Sequence, residues 1–254
     1  IAMLTDELVA YLFDGQPHLL AEPVTDWLIS SRRYRDFVAA FRDKIRKKLR
    51  STPDEPGLRD IQLELEAAYL LLQERALSLV YEPLPSAQGR SPDFAVTYTT
   101  SMTFMCEVTR LSAGLAPSES ENLAEMEAVL DGPSLPRAEM RLADAVCGKL
   151  AQLLPQCSNV LLVYVEALAP TEEELRAVML YIQQRAEGND TLFLRRHRFR
   201  DRTDFFRHFQ RLSEILVRGA ALSTAESLVI WQNPQAKHPL PAKVRTALYR
   251  SQGA

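Results

Sequence analysis

Glycine is scarce in this 254-residue chain, at nine residues, which argues against an all-β sandwich built on many tight turns. No apolar run reaches the roughly 18 residues that a membrane-crossing helix needs. The N-terminal stretch does not show the basic-then-apolar pattern of a secretory leader, so the expectation is a soluble cytoplasmic protein without a membrane partner. The three cysteines, Cys106, Cys147 and Cys157, form no CxxC pair, and the four histidines are scattered. A structural zinc site usually takes four ligands in paired spacing, so none is expected, and the cysteines read as small buried hydrophobes. A Gly-rich phosphate loop, a G-x-S-x-G turn and a recognisable Cys–His arrangement are all missing. Their absence leaves little support for a small-molecule enzyme.

What is present is an ordinary globular composition, 46% apolar and 25% charged. The net charge of −3 does not announce a nucleic-acid binder, but its distribution is uneven. Nine Arg or Lys residues stand against two Asp between Arg32 and Arg50, and RRHRFRDR at 195–202 is a second basic cluster. Acidic residues gather at 119–128 and 171–175. Such segregation allows local phosphate affinity in a protein that is acidic overall; each cluster also suits a solvated helix face.

Periodicity predicts helices first. DELVAYLF is a short amphipathic piece, and TDWLISS follows a proline with Thr25 or Asp26 as N-cap. Phe37, Val38, Phe41, Ile45 and Leu49 recur at helical spacing, with Arg42, Lys44, Arg46, Lys47 and Lys48 largely on the other side. STPDEPG at 51–57 reads as a linker, so residues 1–55 are expected to be a helical extension and 56–254 an α/β domain. A helix is predicted over 58–75, then strands at 77–84, 92–99 and 102–110, the last two as a hairpin. A short acidic helix, a helix over 138–154 and a strand covered on both faces at 159–167 follow. A capped helix opens at Thr171; 193–218 reads as helical from about Thr203; a last strand lies at 227–233, and a short helix ends the chain.

Acids fall where a hard-metal site would need them. Asp93 opens the second strand directly after Pro92, and Glu107 lies near the end of the third. Side chains alternate along a strand, so Glu107 and Thr109 project from one face and Cys106 and Val108 from the other. In a hairpin Asp93 then lies near Glu107, and two carboxylates with a main-chain carbonyl suit Mg²⁺ or Mn²⁺. On the preceding helix Glu64 is flanked by Ala67, Ala68 and Leu71, a packed face where an acid needs a partner. The alternative is a surface glutamate of a Leu-rich helix.

Pro92-Asp93, followed fourteen positions later by Glu107-x-Thr109, resembles the signature of the PD-(D/E)XK nuclease-like superfamily. The element order α-β-β-β-α-β over roughly residues 60–167 is similar to that family's core. The resemblance implies a restriction-endonuclease-like α/β fold, a central mixed sheet flanked by helices, preceded here by the N-terminal helical extension. It also implies a Mg²⁺- or Mn²⁺-dependent nuclease, with Asp93, Glu107 and the Val108 carbonyl as metal ligands and Glu64 beside them. Thr109 stands where the family has Lys, and it supplies no positive charge. Lys149, among Ala145, Val146 and Leu153, and Gln152 one turn on are the expected substitutes, although Lys149 also reads as a surface lysine. Arg195, Arg196, Arg198 and Arg200 are the expected contacts to DNA or RNA phosphates, and a homodimer is a common way to place two such sites on a duplex. The other reading of the same chain is an inactive nuclease-like fold that binds nucleic acid or protein.

Overall fold

The computed structural model describes residues 5–84, 91–112, 135–166, 169–219 and 228–253. The acidic helix expected near 119–128 and almost all of the turn at 85–91 lie outside them. The chain separates into two compact units, Ile1–Val108 with Leu240–Ala254, and Thr109–Pro239.

The first unit begins with α1 (Thr5–Leu12), α2 (Ala21–Ser30), α3 (Arg32–Ser51) and α4 (Glu55–Leu71). Next come β1 (Leu77–Tyr81), β2 (Phe94–Tyr98) and β3 (Met102–Leu111), whose last three residues enter the second unit. Both strand pairings are antiparallel, with Tyr81 opposite Phe94 and Phe94 opposite Cys106, as the hairpin reading requires. The linker at 51–57 joins α3 to α4 inside this unit, and the Asp54 carboxylate accepts from the Gly57 N–H at 2.9 Å to cap α4. The apolar stripe of α3 packs on the strands: the Phe37 ring lies 6.2 Å from Tyr81 and 6.4 Å from Phe94, centroid to centroid. Each such side chain, fully buried, contributes about 1.5–3 kcal/mol. The N-terminal helices therefore build the core of this unit together with the strands.

Several cations of α3 serve that packing. The Arg33 guanidinium donates to the carbonyls of Leu72, Glu74 and Leu77, and Lys44 Nζ donates to those of Tyr81 and Glu82 at 3.0 and 2.7 Å. These residues close the edge of β1 that β2 does not pair, which would otherwise offer a template for another strand. Arg46 and Arg50 both engage Asp14. Much of the basic charge at 32–50 is thus spent within the fold.

The second unit holds α5 (Arg137–Leu150), β4 (Asn159–Val165), α6 (Glu172–Glu187), α7 (Thr191–Arg196), α8 (Arg202–Phe209), β5 (Leu212–Gly219) and β6 (Leu228–Gln232). α9 (Ala242–Ser251) returns to the first unit. β4 runs parallel to β5, and β5 antiparallel to β6. All seven residues of β4 are buried, as its continuous apolar run predicts. Thr171 forms a capping box with Glu174, in keeping with the Thr and three Glu that open α6. Across the described residues the protein is α/β, with six strands in mixed pairing flanked by helices.

Two local readings need correction. α2 starts at Ala21 and carries Pro23 in its first turn, where a proline's missing N–H costs nothing; neither Thr25 nor Asp26 caps it, and Thr25 Oγ1 donates to the Ala21 carbonyl at 2.6 Å. The segment 212–218, expected to continue the helix begun near Thr203, is the buried strand β5. Phe205, Phe209, Leu212 and Leu216 match helical spacing, but α8 ends at Phe209 and the chain turns at Gln210 and Arg211. A strand buried on both faces has no alternation to betray it, so a helical stripe is matched by coincidence.

Candidate carboxylate centre in the first unit

Glu64, Asp93 and Glu107 are buried polar residues of the same unit. Phe94 opposes Cys106, so continuing the register by one residue sets Asp93 across from Glu107. The strand pairing brings the two carboxylates together, and the Val108 N–H orients one of them by donating to Asp93 Oδ2 at 2.7 Å. Glu64 comes from α4, on a face where Ala67, Ala68 and Leu71 are fully buried, as the helical wheel requires.

The partners of Glu64 are residues to which sequence reasoning gave no role. Lys48 Nζ lies 2.9 Å from Glu64 Oε1 and 2.6 Å from Oε2, and the Tyr81 hydroxyl donates to Oε2 at 2.9 Å. Glu82 Oε1 is 3.5 Å from the same ammonium, which also sits 5.5 Å from the Tyr81 ring centroid. Glu82 holds a left-handed backbone, φ +42°, that a non-glycine residue seldom adopts. Its N–H donates to the Asp93 carbonyl at 2.9 Å, and its own carbonyl accepts from Lys44. A signal for Lys48 was present: it lies three residues after Ile45 and seven after Phe41, on the edge of the apolar stripe.

The electrostatics follow from burial. Asp93 is pushed up to about 8, first by desolvation and then by repulsion from Glu64 and Glu107, against the pull of the Val108 N–H and Lys48. Desolvation also raises Glu64, with Lys48 and Tyr81 opposing it. For Lys48, burial favours the neutral amine, but Glu64, Asp93 and Glu82 outweigh it, and its pKa ends above the ordinary lysine value. The centre is a set of mutually repelling carboxylates with one ammonium among them.

Oxygen donors of this kind suit a hard divalent cation. Among the described residues, no group of three or more His, Cys, Asp and Glu side chains is arranged to hold a metal ion. Asp93 and Glu107 therefore form a pair and not a larger ligand group. Both oxygens of Glu64 are already engaged by Lys48.

The remaining predicted residues belong to the second unit. Thr109 is half-buried in β3, and Lys149 is half-buried in the last turn of α5. Gln152 follows that helix; its Nε2 donates to the Gly148 carbonyl at 3.3 Å, and its buried Oε1 has no hydrogen-bond partner among the described residues. All four arginines are exposed; Arg196 is tied to Asp144 at 2.5 Å, and the Arg200 guanidinium lies 3.3 Å from Asp204. The four arginines are thus not equivalent. Cys106 and Cys147 are buried and Cys157 is half-buried, all as free thiols. The chain matches no protein-family model, no curated protein and no solved structure.

Proposed function

We propose that this protein is a Mg²⁺- or Mn²⁺-dependent nuclease, similar in its core to the PD-(D/E)XK superfamily, hydrolysing phosphodiester bonds of DNA or RNA. The observation that carries the reading is the pair Asp93 and Glu107, both buried and set opposite each other by the register of β2 and β3, where burial and then the neighbouring Glu64 and Glu107 raise Asp93 to about 8. Buried carboxylates that repel one another are costly unless a cation or a reaction uses them. The chain order of α4, β1, β2, β3, α5 and β4 supports a restriction-endonuclease-like core.

Asp93, Glu107 and the Val108 carbonyl would hold the ion. When bound, it supplies Lewis-acid stabilisation of the phosphate and lowers the pKa of a coordinated water. The protein's own part is positional. The Val108 N–H fixes the Asp93 carboxylate, while Lys48 and Tyr81 fix Glu64. Arg195 and Arg198 are the cations proposed to meet backbone phosphates, since Arg196 and Arg200, also exposed, are paired with Asp144 and Asp204.

Asp93→Asn tests the assignment, because it removes a ligand charge from a hard site with little change in volume. Expected is loss of Mn²⁺-dependent cleavage with the thermal unfolding transition retained; a folded variant as active as wild type contradicts the assignment. Thr109 favours a second reading, a metal-binding fold that holds nucleic acid without turnover. In that case wild type binds Mn²⁺ and an oligonucleotide but cleaves neither plasmid nor oligonucleotide.

A further inference from the structure

Thr109 stands where a lysine would, and Arg110, the cation of β3, is paired with Glu166 at 2.8 Å. We infer that Lys48, delivered from α3, is the catalytic cation of this centre and the group that meets the scissile phosphate; the assignment rests on the nuclease reading above. Thr109 can offer a hydroxyl but no charge. Other cations of α3 are committed elsewhere, among them Arg33 and Lys44 to main-chain carbonyls and Arg46 and Arg50 to Asp14. Lys48 reaches the carboxylates.

Its geometry suits the task. Two ammonium hydrogens are occupied by the Glu64 oxygens at 2.6 and 2.9 Å, which fixes the head group. Glu82 Oε1 stands at 3.5 Å, longer than an ordinary N–H···O hydrogen bond, a contact that a phosphate oxygen can replace. The side chain is 28% exposed, enough for a phosphate oxygen to approach. Glu64, whose two oxygens both contact Lys48, becomes the positioning residue that aims the ammonium. Lys48 stays protonated throughout. It stabilises charge on the phosphate as the water oxygen–phosphorus bond forms and the phosphorus–oxygen bond to the leaving alcohol breaks.

The test uses the full chain with Lys48→Met, Lys48→Arg and Glu64→Gln, and reads Mn²⁺ affinity by calorimetry beside kcat and KM on an oligonucleotide. Expected is a fall in kcat of roughly 100-fold or more in Lys48→Met, the scale for removing one donor that stabilises transition-state charge. KM and Mn²⁺ affinity stay within about threefold, and Lys48→Arg recovers part of kcat. Lys48→Met alone leaves Glu64 buried and unpaired, so the double variant Lys48→Met/Glu64→Gln is the control for folding. If that double variant turns over like wild type, or Lys48→Met retains kcat within about threefold, Lys48 is only a counter-ion and the inference fails. A wild type that binds Mn²⁺ without cleaving overturns the catalytic role of Lys48 while leaving the metal site standing. A wild type that binds no Mn²⁺ overturns both.

Discussion

Both units bury charged groups, Glu64, Asp93 and Glu107 in the first and Asp204, Glu214 and Arg218 in the second, and the second also buries neutral amides at its turns. In the second, Asn159 lies at the start of β4, where its amide donates to the carbonyls of Leu154, Cys157 and Arg211 and its oxygen accepts from the Leu154 N–H at 3.1 Å. Asn233 likewise donates to the carbonyls of Phe209 and Leu212 and accepts from the Gln235 N–H. Those neutral amides satisfy backbone groups that the turns leave without partners, and no function need be invoked. In the first unit the buried groups are carboxylates that oppose each other's ionisation, with Lys48 as the ammonium among them. Buried polarity explained by the backbone is architecture. The repelling carboxylates have no such backbone account, which is why they carry the proposed site.

The comparison breaks most visibly at Lys48. Lys48→Met leaves the buried Glu64 without its ammonium and is expected to cost about 2–4 kcal/mol in chemical denaturation, while the double variant with Glu64→Gln regains most of it. A Lys48→Met protein as stable as wild type would mean that the pair is not buried in solution. In the second unit, Asn159→Ala removes the partner of one N–H and three carbonyls and is expected to cost about 1–3 kcal/mol, unaffected by Mn²⁺. A metal-dependent cost there would erase the distinction between the units.

A pH scan sharpens the same contrast. The folded pKa of Asp93 lies above the ordinary 3.8, so its contribution to stability is complete below about pH 4 and lost as pH rises to about 8. In EDTA the Tm should therefore fall by roughly 5 °C between pH 5 and 8, and Asp93→Asn or saturating Mn²⁺ should flatten the fall. A flat wild-type profile would place Asp93 in a less hostile field. The smallest effect belongs to the surface arginines. Replacing Arg195 and Arg198 with Gln should lower the slope of log affinity for DNA against log salt by about one per residue. The paired Arg196 and Arg200 should lower it by less, and equal losses would mean that their ion pairs with Asp144 and Asp204 open on binding.

Most of the fold was legible because its strands and helices carry clear local signals. The run NVLLVYV, the capping box at Thr171 and the stripe on α3 each point one way. β5 was not legible, since SEILVRG follows a helix closely enough for one hydrophobic spacing to run through both. Asp93, Glu107 and Glu64 could be picked out from strand alternation and one helical wheel. Lys48, Tyr81 and Glu82 could not be assigned a role, because their meeting depends on how α3 packs across β1 and on the left-handed turn at Glu82. The arginines at 195–200 show the converse limit: a run of like charge does not reveal that Asp144 and Asp204 hold two of its members.

The most direct test of the central claim is calorimetric titration of Mn²⁺ and Mg²⁺ into wild type and Glu107→Gln, with plasmid nicking measured on the same samples. The carboxylate centre predicts binding in wild type, a loss of about 100-fold or more in affinity in the variant, and Mn²⁺-dependent nicking by wild type alone. Equal affinity in the two proteins, or none in either at millimolar metal with an oligonucleotide present, would contradict it.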